Sequence, residues 1–288
     1  MRYIFLLNSF SLREKTNQVK KNTMKIAKKR KLDYVIEIND DNLSTEDILN
    51  KYKRSKNIII AIGGDGTINR VLNSIVGTKN ILGYIPYGTG NDFYRSNKEV
   101  LEEGIIEIDL ISINNSYFIN IACFGIDADI GNHRYVHNNL IPKSKRYNLG
   151  LAITLLKYRP KELEIKFKRK TIKGKFTTVV VCNARYYGGG YKISPNSLLD
   201  DGLLDLYVVD NTNKINMIRL INGMKNALHE KSDKVNKYQV KELTIKSNKE
   251  IIANVDGEAL IDEEFKIRLI PKGISIYYDQ DLIDEVLK

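Results

Sequence analysis

The chain has 288 residues, of which 42% are hydrophobic and 28% charged, and its formal net charge at pH 7 is +11. This balance predicts a soluble globular protein with a sizeable core, folded as one large domain or two ordinary ones. The basic residues are spread along the chain, and no arginine block is interleaved with aromatic residues, which argues against a nucleic-acid partner. The charge therefore indicates either a solvated surface or an anionic membrane as a partner.

Both cysteines, Cys123 and Cys182, lie inside apolar runs and lack the spacing of a metal site, which predicts buried thiols in a reducing cytosol. The N-terminal stretch "MRYIFLLNSF" becomes polar too soon for a signal peptide. The longest lipid-like stretch, "LGLAITLL", is far shorter than the ~20 residues of a membrane span. We therefore expect a cytoplasmic protein that meets any membrane from its surface.

Strand and helix patterns alternate up to about Asp109. A buried strand is predicted at "RYIFLLN", an alternating strand at "LDYVIEIN", and further strands at "KNIIIAI" and "ILGYIPYG". A basic helix is predicted after the first strand. After the second comes "STEDILNKY", in which a Ser/Thr cap precedes an acid by three residues, and after the third comes the helix pattern "TINRVLNSIV". This order predicts a parallel sheet with helices on both faces.

Beyond Asp109 most segments are strand-like, several alternate with period two, and short polar turns join them, which predicts an antiparallel sheet or sandwich. Helices are predicted at about 143–158, at about 214–228 and in the tail "DQDLIDEVLK". The prediction is an α/β domain over residues 1–109, to which the tail 279–288 returns, and a β-rich domain over 110–278. A ligand site is expected in the cleft between them.

The loop "GGDGT" at 63–67 follows the third predicted strand and opens a helix. Glycine lets the backbone approach a ligand closely, and a helix N-terminus suits phosphate. Thr67 can add a hydroxyl donor. Asp65 would repel a phosphate, so it is best explained as holding a cation that bridges to the phosphates. The alternative is a glycine turn with a helix-capping aspartate.

The loop "YGTGNDF" at 87–93 follows the fourth strand and again combines glycines, a threonine and an aspartate. Because ligands bind beyond the carboxyl ends of strands in an open α/β sheet, the two loops together predict a nucleotide-phosphate and metal site. Neither the Walker A pattern nor the dinucleotide fingerprint G-x-G-x-x-G is present.

Four motifs in order, "GGDGTIN", "PYGTGNDF", "SPNSLLDDGLLDL" and "VDGE", resemble the diacylglycerol kinase catalytic-domain family, which includes bacterial soluble lipid kinases and the related sphingosine and ceramide kinases. The likeness covers nearly the whole chain. It implies an N-terminal three-layer α/β nucleotide-binding domain and a C-terminal antiparallel β-sandwich domain, with a cleft between them. It also implies transfer of the γ-phosphate of ATP to the hydroxyl of diacylglycerol, giving phosphatidic acid.

By position, the resemblance implies a set of nucleotide-binding residues spread over three loops. They are Asn8, Ser9, Phe10, Ser11, Leu12, Gly63, Gly64, Asp65, Gly66, Thr67, Ile68, Asn69, Gly88 and Thr89. The first loop departs from the family, because "NSFSL" replaces the usual N-P-x-S-G and loses both proline and glycine. This departure bears on how tightly nucleotide binds.

The resemblance also implies the catalytic groups. Asp65 and Asp92 would organise Mg²⁺ and the phosphates. Either Asp256 or Glu258, in "VDGE", would be the general base that takes the proton from the lipid hydroxyl, and the sequence leaves both open. The alternative for "VDGE" is an ordinary Asp-Gly hairpin turn.

A second, structural Mg²⁺ site is implied at "LLDDGLLDL". Asp201 would supply its side chain, and Leu198 and Leu203 their carbonyl oxygens, a ligand set that suits a hard cation. The alternative is an Asp-Gly turn that opens a strand. Asp109 is equally explained as a cleft aspartate or as an acid pointing outward from a strand.

The expected partner is a lipid acceptor at an anionic membrane surface. The segment 142–161 has basic flanks and could lie in the interface, or it could pack within its own domain. The resemblance leaves a homodimer open. Alternative functions are a kinase for a sphingoid base, for ceramide or for an NAD-like acceptor, and a non-catalytic module that binds nucleotide or lipid.

Overall fold

The computed structural model describes residues 1–40, 43–88, 90–125 and 158–288. Strands and helices alternate in its first part. The elements are β1 (Arg2–Asn8), α1 (Ser9–Leu12), a 3-10 turn (Arg13–Lys15), α2 (Thr16–Lys29), β2 (Tyr34–Asn39), α3 (Thr45–Asn50), β3 (Asn57–Gly63), α4 (Asp65–Ile75), β4 (Ile81–Pro86) and α5 (Asp92–Lys98). The strands run parallel, as the sequence predicts, and their order in the sheet is β2-β1-β3-β4. Every residue of β3 and β4 is buried, because helices cover the sheet on both faces.

Local sequence explains where these helices lie. Helix α3 begins after Ser44, whose side chain accepts a hydrogen bond from the backbone N–H of Asp47, so the predicted cap is confirmed. Helix α2 buries Val19, Thr23, Ile26 and Ala27, a stripe at helical spacing that faces the sheet. Helix α3 packs against α4, and α2 packs against the C-terminal helix.

The second part is built mainly from antiparallel strands, which confirms the predicted architecture. Its elements are β5 (Gly104–Ile113), β6 (Ser116–Phe118), β7 (Ile121–Gly125), β8 (Lys161–Phe167), β9 (Lys170–Cys182), β10 (Tyr186–Tyr187), β11 (Tyr191–Lys192), β12 (Leu204–Asp210), α6 (Lys214–Met224), a 3-10 turn (Leu228–Lys231), β13 (Val235–Val240), β14 (Glu242–Val255), β15 (Glu258–Tyr278) and α7 (Gln280–Leu287). Strands β9 and β14 are bridged by β7 at one end and by β8 at the other. Phe124 and Phe265 pack edge to face in the core that these strands enclose.

Strand β15 joins the two parts of the molecule. Its first half pairs with β14, and its second half pairs with β5 and runs parallel to β4. The sheet is therefore continuous from the α/β part into the β-rich part. The change of pattern predicted after Asp109 falls inside β5, so a paired strand and not a linker crosses that point.

Packing at the chain ends and around the cysteines follows the sequence. Helix α7 lies against α2, where Arg30 forms ion pairs with Glu285 at 2.6 Å and with Asp279 at 2.9 Å. Cys123 and Cys182 are fully buried thiols, as predicted. In the described ranges, no helix combines the length and the apolar character that a membrane crossing requires.

Some predictions fall on residues that the structure does not describe, and one helix was missed. The predicted helix at about 143–158, most of the segment 142–161 and Thr89 lie outside the described residues. Helix α5 was not predicted, because its seven residues, "DFYRSNK", are too few to establish a hydrophobic period.

The junction of β5 and β15 is closely packed, and this packing can be tested with a pair of glycines. A Cβ atom at Gly273 would lie 2.6 Å from the Cβ of Leu110 and 3.0 Å from the carbonyl oxygen of Ile270. We expect Gly273→Ala to lower the free energy of unfolding by about 1–3 kcal/mol in urea titrations, because the sheet must shift to accept the methyl group. The matched control is Gly174→Ala in β9, where the methyl group would meet only the ring of Phe176 at ordinary contact distance. Equal effects of the two substitutions would contradict the close packing.

Candidate active site

The first glycine loop lies where β3 ends and α4 begins. Gly63 has no room for a side chain, because a Cβ atom there would overlap the hydroxyl of Thr67. That hydroxyl is buried and accepts a hydrogen bond of 2.8 Å from the side-chain amide of Asn8 at the end of β1. Gly64 is the N-cap of α4 and brings no side chain over the helix N-terminus, so the backbone there can approach an anion.

The residues after Asn8 form the short helix α1 instead of an open loop. This helical turn is compatible with the absence of the proline and glycine that the family motif has here. Within the turn, the backbone N–H of Phe10 donates a hydrogen bond to the side-chain oxygen of Asn8. The hydroxyl of Ser9 donates to the carbonyl of Asn39 at 2.7 Å. The side chain of Phe10 is exposed and that of Leu12 packs in the core, while Ser11 contributes its backbone to the turn.

The second glycine loop packs directly on the first. A Cβ atom at Gly88 would lie 2.7 Å from the Cα of Gly64, and the backbone N–H of Tyr87 donates to the carbonyl of Gly63 at 2.7 Å. The carboxylate of Asp65 accepts hydrogen bonds of 3.2 Å from the backbone N–H groups of Asp92 and Phe93. The structure therefore brings the two predicted loops together as one unit.

Asp92 is buried, and the carboxyl group of Asp65 beside it is partly buried. Burial raises the pKa of Asp65 above its ordinary value, and the negative charge of Asp92 raises it further, against the hydrogen bonds from the backbone. Asp92 accepts from the guanidinium of Arg95 at 2.9 Å and from the backbone N–H of Gly189 at 2.8 Å. Arg95 thus lies near the carboxylates of both Asp92 and Asp65. Acidic groups outnumber basic ones among these three residues near the N-terminus of α4.

The donor set of this site is made of oxygen atoms, which suits a hard cation. Within the described part of the chain, no group of three or more His, Cys, Asp or Glu residues is arranged to hold a metal ion. Mg²⁺ in phosphoryl-transfer sites is commonly bound by one or two carboxylates together with substrate phosphates and water. Asp65 and Asp92 therefore fit a Mg²⁺ ion that enters with a nucleotide, and they do not form a complete protein cage.

The turn between β14 and β15 reaches over the first turn of α4. Asp256 and Gly257 both have positive φ, at 49° and 91°, which bends the chain sharply. Behind the turn, a Cβ atom at Gly66 would lie 2.9 Å from Oε1 of Glu258. Glu258 also forms an ion pair of 2.7 Å with Arg70, in which the carboxylate is half-exposed. Sequence reasoning missed Arg70, although Gly66 and Arg70 are four residues apart on one helix face.

Asp256 is buried beneath this turn. Its carboxylate accepts hydrogen bonds from three consecutive backbone N–H groups where the chain passes from β6 into β7. They are those of Ile119 at 2.9 Å, Asn120 at 3.1 Å and Ile121 at 2.9 Å. Burial raises the pKa of Asp256 to about 6, the backbone hydrogen bonds oppose this, and the nearby charge of Asp65 adds to it. Asp256 therefore fastens the turn to the β6–β7 connection.

The remaining predicted positions near α4 serve packing. Ile68 lies in the core, and Asn69 is buried with its amide donating to the carbonyl of Tyr117 at 3.1 Å. Thr89, between the two halves of the second loop, lies outside the described residues.

The predicted structural metal site lies apart, in the loop between β11 and β12. The carboxylate of Asp201 accepts from the backbone N–H of Leu203 at 3.0 Å, which is the turn geometry of the alternative interpretation, and the side chain of Leu198 is exposed. Burial raises the pKa of Asp201, and neighbouring carboxylates, Asp205 first, raise it further.

Asp109 holds this loop in place. Its side chain is fully buried, so the interpretation as an outward-pointing acid is wrong. Its carboxylate accepts from the backbone N–H of Gly202 at 2.7 Å and from that of Lys272 at 2.9 Å. Asp109 thus ties the loop to the bend in β15, and a strand pattern alone could not have indicated these partners.

Comparison with known proteins agrees with the geometry. The diacylglycerol kinase catalytic domain family matches residues 2–112, and the YegS C-terminal NAD kinase beta sandwich-like domain family matches residues 120–278. The diacylglycerol kinase of Bacillus subtilis (strain 168) is 30% identical over 71% of this chain and 72% of its own length. The diacylglycerol kinase of Staphylococcus aureus (strain JH9) is 27% identical over 80% of this chain and 77% of its own length.

The fold is also found in a solved structure. The crystal structure of a diacylglycerol kinase from Bacillus anthracis str. Sterne superposes with a TM-score of 0.69 and 18% identity, covering 98% of both chains. The predicted pairing of an α/β catalytic domain with a β-sandwich domain is confirmed. The chain therefore belongs to the family of diacylglycerol and YegS-type lipid kinases.

Proposed function

We propose that this protein transfers the γ-phosphate of ATP to the hydroxyl group of diacylglycerol, giving phosphatidic acid. The observation that carries the proposal is the position of Glu258, whose carboxylate lies over Gly66 at the N-terminus of α4. A carboxylate that faces a phosphate-binding backbone is the arrangement needed to activate an alcohol beside a transferable phosphate. The names of the relatives from Bacillus subtilis and Staphylococcus aureus support diacylglycerol as the acceptor.

The nucleotide phosphates would lie against the first turn of α4 and the loop at Gly88. The unpaired N–H groups and the positive dipole end of a helix stabilise phosphate charge. Asp65 and Asp92 would hold Mg²⁺ together with the phosphates, and the ion, when bound, would neutralise charge on the transferring group. Thr67 would act indirectly, because its hydroxyl already binds Asn8 and keeps β1 aligned with the loop.

We assign the role of general base to Glu258 and a positioning role to Asp256. Asp256 is buried, and its carboxylate already accepts from three backbone N–H groups, so a lipid hydroxyl has no route to it. Glu258 is half-exposed and can accept the hydroxyl proton as the oxygen attacks phosphorus. Arg70 would orient the carboxylate through its hydrogen bond of 2.7 Å to Oε1.

The test is phosphoryl transfer from labelled ATP to diacylglycerol in mixed micelles with Mg²⁺. We expect labelled phosphatidic acid from the wild type and a kcat lower by about 10²–10⁴-fold for Glu258→Gln, because general-base assistance is lost. ATP affinity should stay unchanged in that variant, since the phosphates bind the helix N-terminus. Glu250→Gln, at an exposed position of β14, is the matched control.

Full activity of Glu258→Gln would contradict its role as the base. If diacylglycerol is not phosphorylated, the same assay with sphingosine, ceramide and NAD identifies another acceptor, because the geometry serves any alcohol. Failure with every acceptor while ATP still binds would replace the kinase with a nucleotide-binding module.

The raised pKa of Asp256 predicts a dependence of stability on pH. Its pKa is about 6 in the folded protein against an ordinary 3.8, so the folded state holds more protons than the unfolded state between these values. Stability from this group is therefore full below about pH 4 and is lost as the pH rises through about 6, by up to about 3 kcal/mol.

Urea titrations at several pH values between about 4 and 7 measure this loss. The asparagine side chain does not titrate, so the stability of the wild type relative to Asp256→Asn should decrease as the pH rises across this window. A difference that stays constant with pH would show that Asp256 titrates alike in both states.

A further inference from the structure

Helix α6 has two chemically different faces. Met217, Leu220 and Met224 are buried. The outward face consists of Lys214, Ile215, Ile218, Arg219, Asn222 and Lys225, all of them exposed. Ile215 is 65% exposed and Ile218 48% exposed, one helical turn apart. Two neighbouring isoleucines in water beside three basic residues are not accounted for by packing within the chain.

The charge of this surface has one sign. No Asp or Glu occurs between residues 211 and 229, a stretch that carries Lys214, Arg219 and Lys225. Just beyond the helix, Leu228 is 52% exposed and extends the apolar surface. The complementary partner is therefore an anionic surface with an apolar layer beneath it, which describes an anionic lipid bilayer.

Helix α6 also lies close to the candidate active site. Met224 packs in one cluster with Tyr187 and Tyr191 of the β10–β11 hairpin, and the ammonium of Lys225 lies 5.9 Å from the centre of the Tyr191 ring. The tip of the same hairpin donates a hydrogen bond from Gly189 to Asp92 in the second glycine loop. A single hairpin thus connects the outward face of α6 to the phosphate site.

We propose that the outward face of α6 docks the protein on an anionic lipid bilayer. Ile215 and Ile218 enter the acyl boundary, and Lys214, Arg219 and Lys225 extend to the headgroups. The proposal rests on the proposed function, because a kinase for a membrane lipid must meet its acceptor at the bilayer surface. It differs from the sequence-based expectation, which considered only the segment 142–161.

The test is co-sedimentation of the full chain with phosphatidylcholine vesicles that contain or lack phosphatidylglycerol, without ATP. We expect binding only to the anionic vesicles, weakened by added salt. Lys214→Gln combined with Arg219→Gln should bind at least about tenfold more weakly, since each basic residue near the surface contributes about fivefold. Ile215→Ser combined with Ile218→Ser should also weaken binding, because the apolar contact with the acyl boundary is lost.

Matched controls separate this face from overall charge and apolarity. Lys21→Gln combined with Lys25→Gln removes the same charge from the exposed side of α2, and Ile261→Ser removes an exposed isoleucine from β15. Both controls should bind like the wild type. Equal weakening in the controls and the α6 variants, or no change in any variant, would overturn the proposal.

Two further measurements make the outcomes distinguishable. Phosphorylation of a detergent-dispersed acceptor should be unchanged in the α6 variants, because no α6 residue belongs to the candidate site. If the wild type shows no lipid kinase activity but binds vesicles through α6, the proposed function fails and the docking proposal stands. If the isoleucine variants change only the oligomeric state in light scattering, the face contacts a second copy and the docking proposal is wrong.

Discussion

The carboxylate of Asp65 accepts hydrogen bonds from the backbone of Asp92 and Phe93, and the candidate site depends on this contact. It joins the ends of β3 and β4 so closely that the backbone of Gly64 leaves no room for a side chain at Gly88. It also buries one carboxyl group beside another, which raises the pKa of Asp65. The same residues therefore form the proposed phosphate site and place two carboxyl groups beside it. A cation that enters with the nucleotide would offset their negative charge.

The β-rich part reaches this cradle through strands instead of a flexible linker. Strand β15 pairs with β14, β5 and β4, so the turn that precedes it has a fixed position relative to α4. Asp256 fastens that turn to the β6–β7 connection, and Glu258 then stands over Gly66. Two neighbouring acids thus have different environments: Asp256 is buried and accepts from three N–H donors, whereas Glu258 is half-exposed. Such a division of environments is how paired carboxyl groups acquire separate roles.

The sequence predicted what depends on local pattern. Runs of buried isoleucine in β3, the cap at Ser44 and glycines at strand ends are local signals, and each corresponds to an observed feature. It could not predict long-range partners. Asp109 accepts hydrogen bonds from Gly202 and Lys272, which are 93 and 163 positions away in the sequence. The residues next to Asp109 in the chain therefore could not show that it is buried. The roles proposed for Asp256 and Glu258 likewise depend on three backbone N–H groups that are distant in the sequence. Helix α5 was missed for a different reason, because it is too short to show a hydrophobic period.

The central claim is that Asp65 and Asp92 form, at the proposed phosphate site, a pair of carboxyl groups that favours a cation entering with the nucleotide. Calorimetric titration of ATP, with and without Mg²⁺, into the wild type and Asp65→Asn tests it most directly. The account predicts that the wild type binds ATP at least about tenfold more tightly with Mg²⁺ than without it. Asp65→Asn should lose most of this dependence on Mg²⁺, because the variant lacks one carboxylate and should bind metal-free ATP more tightly than the wild type does. An equal Mg²⁺ dependence in both proteins would contradict the account.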